Sequence, residues 1–393
     1  MASEVYSGME PLDHPDLPCI RSGAKMLRCG CTTGSCAALA AAGAARLLLS
    51  GEVPQRLRLV TPKGWTVELP PAEAVLDGEE ARCAVRKDAG DDPDVTDGCL
   101  VCAAVSRMAR GIRIDGGAGV GRVTKPGLDQ RVGAAAINRV PRRMIREAAE
   151  EVCDELGYGG GLSIVISVPG GEQIARRTFN PMLGIEGGIS ILGTSGIVEP
   201  MSERALIDTI ELEIRQAAAL GAEDGGKRLI LTPGSYGMAY LHAIGLDGCG
   251  VPVVKCSNFI GEALDAASAE GFSEVLLVGH VGKLVKLAGG VMNTHSGQAD
   301  CRAELFTAHA ALCGADRALC AALMEAVTAA ACLGLLDAAG LREAVLKSLL
   351  AAIQRHLDRR ASGRLKVGAV LFSNVYGGLG ATAEAERIRK EWA

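Results

Sequence analysis

Aromatic residues are scarce in this chain: five Phe, five Tyr and two Trp among 393 residues, although 48% of it is apolar. Its cores must therefore be built from Ala, Val, Leu and Ile against many glycines. So few rings also speak against a surface that grips single-stranded nucleic acid by stacking. A charged start followed by an apolar leader is missing, and no uninterrupted apolar run reaches the roughly 18 to 20 residues of a membrane span. The expectation is a soluble, cytoplasmic protein with neither nucleic acid nor membrane as partner. Disulfides are not expected: fourteen cysteines in a long chain without a leader read as reduced thiols. Most, such as Cys320 and Cys332, lie in Ala-rich settings where a thiol behaves as a small core residue. The net charge of -5 says little beyond solubility.

At about 150 residues per domain the length suggests two or three domains, and the pattern fits two. Residues 1–26 are polar and proline-bearing, a loose arm. Residues 27–199 mix hairpins and helices, which predicts an α+β layered domain. Its expected elements are a helix after the segment CGCTTGSC, with Thr33 or Ser35 as N-cap, and a hairpin from 56–61 and 65–69. A strand is expected at 81–86, a helix from about 142 to 156 after Pro141, and a strand at 162–168. Residues 200–393 alternate short apolar strands (228–232, 251–256, 274–278, 365–372) with helices. That alternation predicts a Rossmann-like parallel sheet carrying a helical insertion over 308–360. The fold class is thus α/β in two domains, joined by a glycine-rich stretch over 178–202 that is expected to line whatever lies between them.

Ligands of open parallel sheets bind at the carboxyl ends of the strands. Here those loops are 232–237, 256–259, 279–283 and 373–377, polar and glycine-containing, with Thr232, Gly234, Tyr236, Ser257, Asn258, Gly279, His280 and Lys283 as candidate cofactor contacts. No formal nucleotide motif is met: GHVGKL lacks the spacing and hydroxyl of a phosphate loop, and GGAGVG at 116–121 reads as a turn between hairpin strands.

The loop 87–97 holds Asp88, Asp91, Asp92, Asp94 and Asp97. Crowded carboxylates repel one another, so the loop is a solvated turn, a cation site or a source of a base. Its spacing does not match a calcium loop. Cys29, Cys31, Cys36, Cys83 and Cys99-x-x-Cys102 contain thiol pairs, but without a second C-x-x-C core thiols are favoured, and no metal site is assigned. Between positions 107 and 146 lie ten Lys or Arg against Asp115 and Asp129. Several accompany turns and a helix start, and Arg forks bind carboxylates and phosphates, so a polyanionic small molecule is the natural partner.

These residues stand in motifs whose order is that of a known family. CTTGSCAA, KDAGDDPDVT, GVGRVTKPGL, INRVPRRMI, NPMLGIEGGISILGTSGIVEPMS, TPGSYG, KCSNFIG, GHVGKLVKLAGG and NTHS with Asp300 and Arg302 following span nearly the whole chain. In this it resembles the CbiD family, the cobalt-precorrin-5B C-1 methyltransferases of anaerobic cobalamin biosynthesis. Cys29 and Cys31 stand where the family commonly has Thr and Tyr, and Asp97 where it often has His, so no role is carried over at those three positions.

The resemblance implies methyl transfer from S-adenosylmethionine to C-1 of a polycarboxylate cobalt tetrapyrrole, the cobalt arriving with the substrate. It also implies transient contact with other enzymes of that pathway. With it, Asp88, Asp91 and Asp92 become the candidate catalytic carboxylates. Thr32, Thr33, Lys87, Arg122, Lys125, Arg142, Asn180 and Thr194 become the candidate substrate contacts. A non-catalytic corrinoid carrier and a nucleotide-dependent enzyme using GHVGKL are the competing classes.

Overall fold

A computed structural model describes residues 17–22, 25–178, 180–181, 183–221, 227–246 and 248–392, in a mixed α/β arrangement. They divide into two units, Met1–Ser202 and Glu203–Ala393, a boundary three residues past the one read from the sequence.

In the first unit the strand Leu100–Met108 buries Val101, Ala103 and Val105 and leaves the intervening side chains half-exposed. Period-two burial of this kind marks a strand covered on one face. It lies at the centre of a five-stranded sheet in the order Glu73–Asp77, Glu80–Arg86, Leu100–Met108, Gly161–Ser167, Ile112–Gly116, antiparallel except for the last pair. Helices Thr33–Ser50 and Arg139–Glu155 pack on each other, and the first packs on the sheet. Fourteen residues of Thr33–Ser50 are buried, six of them Ala, so the helix is embedded rather than amphipathic. By length and composition it could cross a membrane, yet it serves as the core helix of this unit. Burial of Leu39 within it contributes about 1.5–3 kcal/mol.

Three sequence expectations change here. Strand Cys19–Ser22 pairs antiparallel with Lys25–Arg28, where a loose arm was expected through 26; positions 1–16, 23 and 24 lie outside the described residues. GGAGVG makes a turn, Val120 N–H to Gly117 O at 3.2 Å, but the strands on either side of it do not pair as a hairpin. Gly119–Val120 pairs with Gly188–Ile189, and Arg122–Val123 with Ile185–Glu186, so the basic segment is stitched to the glycine-rich stretch. The N-cap of Thr33–Ser50 is Thr32, not Thr33 or Ser35.

The second unit holds strands in the order Val253–Lys255, Arg228–Thr232, Glu274–His280, Lys366–Ser373, Gly377–Ala381, the first four parallel and the last antiparallel. Alternate residues feed two cores. Leu229, Leu231, Val275, Leu277, Val367 and Ala369 face helices Ile260–Ala269 and Arg342–Ala361, whereas Ile230, Leu276, Val278 and Val370 face Leu241, Ile388 and Trp392. A sheet buried on both sides explains why these strands read as unbroken apolar runs.

Between strands Glu274–His280 and Lys366–Ser373 come four helices, Arg302–Leu312, Arg317–Met324, Ala329–Ala338 and Arg342–Ala361. Strand Glu274–His280 is followed by a single helical turn, Val281–Leu284, continued as a tighter turn over Val285–Gly289. The segment 373–377 is a hairpin turn into the edge strand, not a strand-to-helix loop.

Candidate functional site

In the first unit the acidic loop meets strand Lys25–Arg28 and the start of the core helix. Gly30 lets the backbone of Ala89 approach so closely that a Cβ would lie 2.1 Å from its carbonyl carbon. Across that contact Arg28 grips Asp88 with two hydrogen bonds of 2.5 and 2.9 Å and gives its backbone N–H to Asp91 Oδ2 at 2.6 Å. Asp92 Oδ1 accepts the Met201 N–H (3.0 Å), and Asp97 Oδ1 that of Ala89 (2.8 Å). Lys87, only 1% exposed, donates to Asp94 at 2.8 Å, and Asp94 also accepts the N–H and hydroxyl of Thr96. Burial alone would raise the Asp94 pKa, but Lys87 and Thr96 outweigh it and hold it below its ordinary value.

The start of helix Thr33–Ser50 carries backbone N–H groups of the kind that can hold an anion. Its own chain already takes them: Gly34 N–H goes to Leu192 O (3.1 Å) and Ser35 N–H to Thr32 Oγ1 (3.2 Å). Thr33 Oγ1 is bonded to both the carbonyl and the N–H of Leu192. Gly193, at φ 134°, lies so close to Thr32 that a Cβ would sit 2.4 Å from its Oγ1.

Among the proposed substrate contacts, Thr32, Thr33 and Lys87 are buried and bonded to the chain itself. Arg142 is likewise internal, its guanidinium donating to the carbonyls of Ile137 (2.9 Å), Ile114 (2.9 Å) and Ala135 (3.3 Å). Buried Asn180 accepts from Ser190 (3.1 Å). Arg122 is exposed while bonded to Asp115 and Gly116, and Lys125 and Thr194 are exposed. Among the described residues no three His, Cys, Asp or Glu gather to hold a metal ion, and burial pushes the Cys31 thiol up to about 12.

In the second unit the strand order reverses between Arg228–Thr232, whose next strand lies on one side, and Glu274–His280 on the other. Such a switch point opens a crevice at the carboxyl ends. Thr232, Gly234 and Tyr236 follow the first strand; Gly279, His280 and Lys283 end or follow the second. Lys283 Nζ donates to Pro233 O at 2.9 Å, tying the two loops together. His280 Nδ1 accepts the Gly282 N–H at 3.1 Å, and its ring meets the edge of Phe372, which stacks on Tyr240 with centroids 4.4 Å apart. Burial lowers the pKa of both His280 and Lys283. Gly234 precedes the helix Ser235–Ala243, which no side chain caps, and Tyr236 is 68% exposed. At the neighbouring strand Ser257 takes φ 52°, and Asn258 bonds Thr294 through its carbonyl and side-chain oxygens. Sequence reasoning did not assign Tyr240, Phe372 or the buried Lys286. The charged Lys286 inside the apolar run of GHVGKLVKLAGG was the available signal.

These features define a two-unit α/β protein whose second unit brings two polar, glycine-containing loops together at a switch point of its parallel strands. The family model described as CbiD matches residues 20–200, and that described as CbiD, C-terminal domain, matches residues 293–383. The Cobalt-precorrin-5B C(1)-methyltransferase of Ruminiclostridium cellulolyticum is 48% identical over 89% of this chain and 90% of that protein. Relatives of the same name from Alkaliphilus metalliredigens (41%, 93% of this chain and 94% of theirs) and Moorella thermoacetica (42%, 93% and 98%) are also similar. A crystal structure of a cobalamin biosynthesis protein (cbiD) from Archaeoglobus fulgidus is 29% identical over 72% of this chain and 86% of that one, with a TM-score of 0.38. The chain belongs to the CbiD family.

Proposed function

We propose that this chain transfers a methyl group from S-adenosylmethionine to C-1 of cobalt-precorrin-5B, giving cobalt-precorrin-6A, as a soluble cytoplasmic enzyme. The observation that carries the reading is the shared name of relatives that match about nine-tenths of the chain. In the reaction C-1 bonds the methyl carbon with its own electron pair, the carbon–sulfur bond breaks, and sulfur leaves as a neutral thioether. Cobalt is part of the substrate.

The second unit is read as a Rossmann-like domain that holds the donor through Thr232, Gly234, Tyr236, Ser257, Asn258, Gly279, His280 and Lys283. Support comes from the meeting of the 232–236 and 279–283 loops at a switch point, with the loop of Ser257 and Asn258 following the neighbouring strand. The first unit is read as the substrate side, with exposed Arg122, Lys125 and Thr194 meeting the acetate and propionate rim. Asp88 is buried against Arg28 and Asp92 is half-buried, whereas exposed Asp91 keeps Oδ1 without a hydrogen bond among the described residues. Asp91 is therefore assigned the proton released from the ring.

Incubating the protein with cobalt-precorrin-5B and methyl-labelled donor tests the reading. A labelled product one methyl heavier is expected; binding of the tetrapyrrole without any such product would leave a carrier instead.

A further inference from the structure

We propose that Asp300 and Arg302 receive the amino-acid end of the methyl donor, Arg302 its α-carboxylate and Asp300 its α-ammonium; this rests on the donor reading above. The two side chains form a pair with hydrogen bonds of 2.5 and 2.9 Å. Arg302 Nη1 lies 3.9 Å from the point where a Cβ on Gly282 would stand, and His280 Nδ1 lies 3.2 Å from the same point. The guanidinium is therefore beside the turn that follows strand Glu274–His280, at the switch point. The pair is open, with 58% of the Asp300 and 29% of the Arg302 side chain exposed.

What holds it there is a buried cation. Lys286, 2% exposed, donates to Thr294 O (3.1 Å) and Ala299 O (2.8 Å), and no carboxylate lies within ion-pair distance of it among the described residues. A buried ammonium bonded only to carbonyls is costly, and its structural effect is to pin both ends of segment 294–299. The near end is further fixed by Thr294 N–H to Asn258 O at 2.9 Å. Asp300 follows at once, and Cys301 between the pair takes φ 43°, a left-handed turn that a non-glycine residue adopts at a cost. Asp300 and Arg302 thus stand on a rigid base.

An α-amino carboxylate bears one negative and one positive group, the complement of this pair. Exchanging the internal partner for the ligand's two charges leaves the net charge of the site unchanged, and the Arg fork suits a carboxylate.

Calorimetric titration with two probes tests the assignment. S-adenosylhomocysteine carries the zwitterion; 5′-methylthioadenosine lacks it. The wild type is expected to bind the first about 10- to 100-fold more tightly than the second, as for charged hydrogen bonds gained in a site. Arg302→Met is expected to abolish that preference while leaving methylthioadenosine affinity within about twofold. The doubly swapped protein, Asp300→Arg with Arg302→Asp, is expected to keep an ion pair and the wild-type melting temperature. A merely structural pair would leave its preference intact, whereas the proposal requires the same loss as in Arg302→Met. Should both proteins keep the wild-type preference, the assignment falls and the donor site stands. Should the wild type bind neither probe, the donor reading falls and takes the assignment with it. If Arg302→Met fails to fold, the swapped protein alone decides.

Discussion

In the 87–97 loop of the first unit, Asp88, Asp91, Asp92, Asp94 and Asp97 each accept a hydrogen bond from the chain itself. At the carboxyl edge of the second unit, Tyr236 is exposed, Asp300 is exposed though paired with Arg302, and the start of Ser235–Ala243 lacks a side-chain cap. The more conspicuous motif in the sequence is thus the more self-satisfied one in the structure. A dense cluster of charged and glycine residues marks backbone that must be held in one shape, while binding capacity is what remains after the internal partners are counted.

The sharpest test of that contrast is Asp91, the exposed carboxylate with an unbonded oxygen. Asp91→Asn keeps an acceptor for the Arg28 N–H, so the melting temperature is expected to stay put while single-turnover methylation falls about 10²- to 10⁴-fold. A wild-type rate in this variant would make the whole acidic loop framework.

Lys87→Met probes the opposite side of the comparison. It removes a fully buried cation and leaves Asp94, 25% exposed, without its ion partner. Losing one member of a buried pair costs about 3–5 kcal/mol, reduced here to roughly 2–4 by the water that reaches Asp94. Urea unfolding should register that loss, while donor affinity, measured by titration, is expected to remain as in the wild type. An unchanged unfolding midpoint would show that the Lys87–Asp94 pair does not hold the loop.

The second unit was the more legible in sequence. Its strands Arg228–Thr232 and Glu274–His280 begin one charged residue ahead of their apolar runs, where the sequence placed them, because a sheet covered on both faces admits no polar alternation to blur the edges. Strand Gly377–Ala381 was not foreseen, since five residues of Gly, Leu and Ala carry neither β-branching nor alternation. In the first unit the helices and the 56–69 hairpin could be read locally. The pairing of Arg122–Val123 with Ile185–Glu186 could not, because two-residue strands far apart in the chain leave no periodic trace. The same limit governed the site. Basic side chains at 122 and 142 look alike in sequence, and only the fold shows Arg142 enclosed by three carbonyls and Arg122 exposed.

Lys283 links the loops after two adjacent strands through Pro233 O. Lys283→Met removes that tie and a half-buried charge whose burial the fold already resists. Donor affinity is expected to drop about tenfold, the worth of one charge-assisted hydrogen bond, without change in the first unit's unfolding. Equal donor affinity in the two proteins would mean that the loops keep their arrangement without it.

The smallest effect concerns pH. His280 Nδ1 accepts the Gly282 N–H, which only an unprotonated nitrogen can do, and burial lowers the pKa of the ring. In the unfolded chain the imidazole titrates near about 6.5. Between the lowered folded value and that point the unfolded chain binds more protons. The neutral ring's contribution to stability is therefore complete above about 6.5 and declines as pH falls through the folded value. His309 is lowered by burial as well, so the wild type alone cannot isolate the effect. His280→Asn keeps an acceptor but does not titrate. Urea midpoints measured from about pH 8 down to about pH 5 should show the wild type losing stability relative to this variant below about 6.5, with donor affinity weakening over the same span. Parallel curves would separate the acid sensitivity of the second unit from His280 and leave its role as a cap independent of charge.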